Sequence, residues 1–415
     1  MSTIKENLIK NISYISISII SLLPIIVFLG SGVLNLSIII LDILFIYEIY
    51  LKRNFKYFHN KVFYSLIFCW FILLLNLNFS ISFYDSLPRS VGFLRFVFFV
   101  FAINYYFFEV DNKYKKLIAK FWTIIFIIVS FDLLYEYFVG SNLLGFKSYM
   151  PGRLSGFFNQ ELKIGHLYSA LILISLSSIY LYLKNINLKK NNFIFEFVKK
   201  NFFYIILILF LLISIFIGER SNFIKTLLMT TIFIFVFDMR NFYKKIISIF
   251  LGLVIFFFII MNNSDYKYRF WRMFLQPLFT DPINLVMSSQ YGHHYKVALE
   301  VFNNHKLTGV GLKNYRIEVK KDGYSENPSI HPHQVHLELL SEIGITGYIS
   351  FLFLFIFNLF LSIKNYIKNK NIYQLSGILF VLVSLIPIIP SGSFFTTYGA
   401  TLFWLNFGLM ISKKK

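Results

Sequence analysis

The 415-residue chain has one cysteine, Cys69. That excludes a disulfide framework and a cysteine-rich metal site, and inside an apolar run it reads as a small buried side chain. Charge is scarce too. Asp, Glu, Lys and Arg together make up 14% of the residues, roughly half their share in an ordinary globular domain. A soluble chain of this length would divide into two or three domains, but this one lacks the polar surface to cover them. No internal repeat recurs at solenoid periods. No cleavable signal pattern is expected either, because the first apolar run is long and others follow it.

What fills the sequence is apolar. Hydrophobic residues account for 57% of it, with 53 Phe and 27 Tyr, and the mean hydropathy is +0.66. Runs such as "FYIILILFLLISIFI" (203–217) and "ISFLFLFIFNLFLSI" (349–363) are apolar on all sides. With their flanks they can cross a hydrocarbon core about 30 Å thick. The expected fold is all-α, a polytopic transmembrane helical bundle of about twelve spans of near 20 residues each. They fall at 12–30, 33–51, 61–79, 88–108, 117–138, 163–183, 201–217, 221–238, 246–262, 344–363, 372–390 and 394–411. The expected organisation is a bundle at 1–262, a larger and mostly helical extracytoplasmic loop domain at 263–343, and further spans at 344–415.

The formal charge of +20 would suit nucleic acid, but its distribution argues against that partner. Most of the Lys and Arg fall on one side of the expected topology: the N-terminus, "KRNFKYFHNK", "DNKYKK", the 184–200 region, "MRNFYKK", "KNYIKNK" and "KKK". Short loops on the other side hold only Arg89, Lys147, Arg153, Lys163, Arg220 and Lys225. Short basic loops stay in the cytoplasm, whereas long loops are largely exempt. Both termini are therefore expected in the cytoplasm, with attraction to anionic membrane lipids as a by-product.

The outer face then holds the residues with chemistry. Arg220, in "GERSN" (218–222), lies between two apolar runs with barely a turn between them. A charge pinned there reads as functional, against the plainer reading of snorkelling toward headgroups. Arg269 and Arg272, in "DYKYRFWRMF", follow span nine with aromatics between them. They fit an anionic headgroup, since Arg binds phosphate bidentately, or an ordinary aromatic belt with basic flanks. Arg153 and Glu161 orient a polar substrate or pair with each other. Arg95, inside span four, reads as a buried partner of Asp42 or Asp132. In "HHYKVALEVFNN" (293–304), His294, Val297, Val301 and Phe302 follow helical spacing, and "TGVGLKNYR" (308–316) reads as a glycine-bearing turn.

His331, His333 and His336 fall within six positions of a chain with eight histidines. A helical zinc motif would place two histidines four apart with a Glu beside the first. Here His333 and His336 are three apart, and Gln334 follows the first. Pro332 at the first helical position would make His331 the cap and His333 a first-turn residue. At about 100° per residue, Glu338 then lies far round the helix from His333, and Glu342 lies opposite. One helix cannot offer two histidines and a carboxylate to one ion, so no metal is expected. A general base fits better, because a helix N-terminus disfavours imidazolium and keeps His333 neutral. Gly344 is expected to stop that helix and Gly347 to let the chain re-enter. The plain alternative is an exposed histidine-rich loop.

"SIHPHQVHLELLSEIGITGYISF" (329–351) resembles the histidine motif of the O-antigen ligase family, which includes O-antigen ligases and O-antigen polymerases. "RLSGFFNQELKIG" (153–165), "GERSNF" (218–223) and "ALEVFNNHKLTGVGLKNYR" (298–316) resemble, in order, an arginine-bearing loop, the central arginine motif and the segment before the histidines. The resemblance runs from about residue 90 to the end, including "IPSGSFF". It implies transfer of a glycan, with inversion and without metal or cofactor, from undecaprenyl diphosphate to an acceptor hydroxyl in the periplasm. It implies His333 as the base, Arg220 as the arginine that holds the diphosphate, and Arg269 or else Arg272 as a second. His331 and His336, with Arg153 and Glu161, stand as supporting residues. Gln334 stands where the family usually has Asn, and His336 where it often has Tyr.

The acceptor is lipid A–core for a ligase or a lipid-linked glycan for a polymerase. Transfer to a protein hydroxyl is a related option. The His-Pro-His form and the preceding segment look closest to the ligase branch. A transporter or flippase would place several ionisable residues along its spans. The spans hold mainly Asp42, Arg95 and Asp132, which disfavours it.

Overall fold

The computed structural model describes residues 2–159, 161–185, 193–237, 242–321, 323–324 and 329–411, with side chains from residue 4 onward and not over 193–200. The basic segments at 186–192, 238–241 and 412–415 lie outside the described residues. Among the described residues every regular element is helical. In chain order these are α1 (Ser2–Ile26), α2 (Ser31–Lys52), α3 (Lys61–Asn76), α4 (Phe83–Gly92), α5 (Leu94–Phe108), α6 (Asn112–Val139), α7 (Ile164–Asn185), α8 (Phe193–Phe216), α9 (Arg220–Phe237) and α10 (Phe242–Asn262). Short elements follow: α11 (Ser264–Tyr266), a π-helical segment Lys267–Leu275, α12 (Gln276–Thr280), α13 (Pro282–Met287), α14 (Gln290–Asn304) and α15 (Tyr315–Glu318). The chain closes with α16 (Val335–Asn369), α17 (Ile372–Ser384) and α18 (Thr397–Met410).

Among the described residues, nine helices are long and apolar enough to cross a membrane, by length and composition alone. The apolar stretches Asn201–Phe216 and Ile372–Ser384 are shorter, as is the 14-residue α18. All twelve expected spans nevertheless fall on helices. Those that sequence reading extends to residue 390 and begins at 394 contain irregular backbone, since α17 ends at Ser384 and α18 begins at Thr397. The stretch between them, 385–396, is partly exposed, with Ile388 at 65%.

The bundle has an inner and an outer layer. Helices α5, α7, α17 and α18 are buried nearly all round, from Phe96 to Phe107 in α5 and from Ala400 to Met410 in α18. Helix α10 buries few side chains and turns Phe250, Val254 and Phe258 outward, as a lipid-facing helix should. Polar groups in the interior are tied to neighbours. Glu48 accepts from Ser13, Lys52, Tyr105 and Tyr106 at 2.6–2.9 Å, and Trp122 donates to the Ile20 carbonyl at 2.8 Å. Arg95 differs from its expected pairing. It donates to the Gly92 carbonyl at 2.7 Å and lies only within electrostatic range of Asp42. Asp132 instead accepts from the Leu143 N–H at 2.8 Å.

The segment between α10 and α16 is pinned at both ends. Tyr266 donates to the Phe216 carbonyl at 2.7 Å, and Phe270 is buried beside Phe223 and Phe256. Val297, Ala298, Val301, Val310, Tyr315 and Val319 form a small core of their own. The amphipathic stretch 293–304 is α14, as its spacing predicts, and its His294 is buried. Residues 306–311 then run alongside 341–346. Val310 N–H donates to Ser341 C=O at 3.0 Å, Gly311 N–H to Glu342 C=O at 2.8 Å and Ile345 N–H to Lys306 C=O at 2.9 Å. Gly344 makes this contact feasible. Its φ of 64° breaks α16 into two parts, and a Cβ there would lie 2.3 Å from the Leu307 carbonyl oxygen.

Candidate active site

Three arginines gather where the loop before α7, the α8–α9 turn and the π-helical segment meet. The turn is tight because Gly218 takes φ 73°, and a Cβ there would lie 1.9 Å from the Gly152 carbonyl oxygen. The facing loop is held by Glu136, whose carboxylate accepts from the N–H groups of Ser155 at 3.0 Å and Gly156 at 2.8 Å. Arg153 leaves that loop and pairs with Glu219 at 2.7 Å. Glu219 also accepts from Asn222. Arg269 reaches the same turn, donating to the Gly218 carbonyl at 3.1 Å.

Arg220, the first residue of α9, donates to the Met273 carbonyl at 3.1 Å and reaches the Arg269 carbonyl at 3.5 Å. Backbone carbonyls orient a guanidinium without neutralising it. Among the described residues, neither Arg220 nor Arg269 has a carboxylate within ion-pair distance. Burial first, then the Arg153 and Arg220 guanidiniums, pull Arg269 below its ordinary pKa. Of the three guanidiniums only Arg153 is ion-paired among the described residues, which leaves a socket for an anion, and fixed forks suit phosphate oxygens.

The histidines stand beside this socket, in a conformation the sequence does not announce. Helix α16 begins at Val335 with Gln334 as its cap, the Gln334 side chain accepting from the Leu337 N–H at 2.8 Å. His331 is therefore not the cap, Pro332 is not the first helical residue, and His333 is not in the first turn. His333 takes φ 57°, the left-handed region that non-glycine residues seldom enter. Its carbonyl accepts from the Ser391 N–H at 2.7 Å. Its ring lies 3.8 Å from that of His331, 5.1 Å from that of His294 and 5.7 Å from that of Tyr291, centroid to centroid. Strain of this kind concentrates at functional sites, where surrounding contacts over-determine it.

The loop 385–396 supplies those contacts. His336 bonds the Leu385 carbonyl at 2.8 Å, Tyr295 donates to Ile388 C=O at 2.9 Å, and Arg89 donates to Phe395 C=O at 2.8 Å. Because His333 lies outside the helix, the expected angle between it and Glu338 does not apply; Glu338 instead clamps this loop. Its two oxygens accept from the Ser393 hydroxyl at 2.6 Å and the Phe394 N–H at 2.8 Å.

Burial pushes His333 down to about 3, with His331, His294 and His166 adding to the shift. It pushes His331 down to about 4, helped by the nearby Arg316 guanidinium and by His294 and His166. His294 is lowered by burial and then by His293. The cluster is thus neutral at pH 7, through desolvation and mutual repulsion rather than through a helix dipole. Tyr291 joins the two halves of the site. Its ring touches His333, and its phenol lies within electrostatic range of Arg220 and Arg269.

The other expected residues scatter. Arg272 is exposed and does not reach the Gly218 turn as Arg269 does. Glu161 is exposed and pairs with Lys163, not with Arg153. His336 sits behind the cluster with both ring nitrogens engaged, by Leu385 C=O and by the Tyr348 hydroxyl at 3.2 Å. Sequence reading placed His294 only on a helix face, and it missed Tyr291 and His166. A histidine pair at 293–294 in a histidine-poor chain was the available signal for the first. Among the described residues no group of three His, Cys, Asp or Glu is placed to hold a metal ion.

Residues 202–352 match the family described as O-antigen ligase. The match takes in Arg220, Arg269, Tyr291, His294 and His333 and ends before the 385–396 loop. No curated protein matches the chain.

Proposed function

Taking membership of the O-antigen ligase family as its premise, we propose that this chain is an inverting glycosyltransferase that moves an O-antigen-type glycan from undecaprenyl diphosphate to a hydroxyl of lipid A–core. The family and the apolar helices already make it a multi-pass membrane enzyme of glycan transfer that acts on lipid-linked glycans. The finer reading places it in the bacterial inner membrane, with both termini cytoplasmic, the 263–343 domain periplasmic and the site at the periplasmic surface.

In this mechanism Arg220 and Arg269 bind the donor diphosphate, and Arg153, already paired with Glu219, bounds the socket. A neutral His333 nitrogen accepts the proton of the acceptor hydroxyl as its oxygen attacks the anomeric carbon. The bond from that carbon to the diphosphate breaks with inversion, and the electron pair leaves on the diphosphate. Fixed guanidiniums stabilise the growing negative charge, so the protein's own cations supply the charge that a metal would otherwise bring. A weakly basic imidazole suffices because its proton arrives late, as negative charge accumulates nearby. The juxtaposition of His333 with Arg220 and Arg269 across Tyr291 carries the reading.

A lipopolysaccharide gel from a strain lacking the chain tests it. Wild-type complementation should restore glycan-bearing lipopolysaccharide, whereas Arg220→Ala and His333→Ala should leave bare core and glycan accumulating on its carrier. Core bearing single repeats would identify a polymerase instead. Unchanged lipopolysaccharide with loss of a glycosylated protein would identify a protein acceptor.

A further inference from the structure

The chain leaves α10 at Asn262 and, between Met273 and Met287, builds a surface that a water-exposed loop should not have. Phe279 is 75% exposed, Ile283 76% and Met287 66%, with Leu278 and Met273 also uncovered. The first three are spaced by four along α12 and α13, with the polar Asp281 and Asn284 between them and Gln276 and Ser288 flanking them. Asp281 interrupts the two helices and caps the second, accepting from the Asn284 N–H at 3.0 Å. The result is a short amphipathic pair with one apolar edge. A cluster of bare apolar side chains in water marks an interaction surface.

Its surroundings say what covers it. Helix α10 turns Phe250, Val254, Phe258 and Met261 outward, and the chain passes directly from that lipid-facing surface into the segment bearing Tyr268, Met273 and Phe279. Lys267 and Arg272 stand at the junction with Tyr268 and Trp271, the residue types that settle at headgroup depth. An apolar edge continuous with a lipid-facing helix, rimmed by basic and aromatic residues, is an interfacial helix. We propose that α12 and α13 lie in the outer leaflet of the membrane, with Phe279, Ile283 and Met287 sunk among the acyl chains.

This placement has a consequence for the site. The Met273 carbonyl that orients Arg220 and the Arg269 side chain both belong to the segment that runs into α12. Anchoring that segment in the leaflet fixes the two guanidiniums at headgroup height, where a lipid-linked anion presents its charge. The anchor itself does not depend on what the site transfers.

Spin labels at single cysteines test the placement in the full-length protein, reconstituted into phosphatidylcholine–phosphatidylglycerol vesicles in a Cys69→Ala background. Labels on Phe279→Cys, Ile283→Cys and Met287→Cys should collide with oxygen, which concentrates in the bilayer, in preference to a water-soluble nickel chelate. Labels on Asp281→Cys and Asn284→Cys should show the reverse preference. Nickel accessibility at all five positions would place the helices in water and overturn the proposal. Protection of the first three from both reagents would show a protein covering and overturn it equally.

Discussion

Between pH 7 and pH 5 an ordinary imidazole gains a proton; His333 does not. Its folded pKa is lowered to about 3, first by burial and then by His331, His294 and His166. A base acts in its neutral form, so the acid limb of kcat/KM should fall well below pH 6.5. His331→Asn removes a neighbouring imidazole and should move that limb toward higher pH, measurable as a pH–rate profile. For the diphosphate, Arg220→Ala should lower the transfer rate about 10²–10³-fold, the range for losing one preorganised donor to a developing oxyanion. Arg220→Lys should recover little of it, because a point charge cannot make the bidentate contact. Arg220 and Arg269 were legible as scarce charges at the ends of apolar runs, and His333 as one of three histidines within six positions. His294 was not, because its meeting with His333 depends on how α14 packs beneath a loop nearly forty residues further on.

At the scale of elements, glycines and a buried carboxylate set the shape of the site. Gly344→Ala forces a Cβ against the Leu307 backbone at an angle that side chains rarely adopt. It should cost about 1–3 kcal/mol, seen as a lower unfolding temperature in detergent. Glu338→Ala unties Ser393 and Phe394 and leaves their donors buried without partners, costing about 1–3 kcal/mol. Because Ser391 bonds the His333 carbonyl, that variant should lose kcat more than donor affinity, and hydrogen exchange should quicken at 391–394. Glu338→Gln keeps an acceptor and should restore part of the rate. Hydropathy and period located every long helix. They misplaced the start of α16 by assigning Pro332 to its first turn, because a left-handed His333 held by a distant loop leaves no local signal. Residues 385–390 and 394–396 read as parts of spans because they are largely apolar, so neither the full loop 385–396 nor its grip on the histidines was legible.

For the whole molecule, the all-helical bundle was legible from composition alone, since 57% apolar residues in runs near 20 long admit few other folds. Sidedness rests on the loop charges. Cysteines placed at Lys5 and Lys56 in the Cys69→Ala background should resist an impermeant maleimide added to intact cells, whereas one at Lys147 should react. The reverse pattern would invert the topology and remove the site from the periplasm. The proposed mechanism requires a neutral base at His333 beside arginines that bind the donor diphosphate. Single-turnover transfer by the purified protein in vesicles, with undecaprenyl-diphosphate-linked glycan and lipid A–core, tests it. His333→Ala should bind the donor as tightly as wild type yet transfer about 10²–10⁴-fold more slowly. Transfer at the wild-type rate by His333→Ala would rule out His333 as the base.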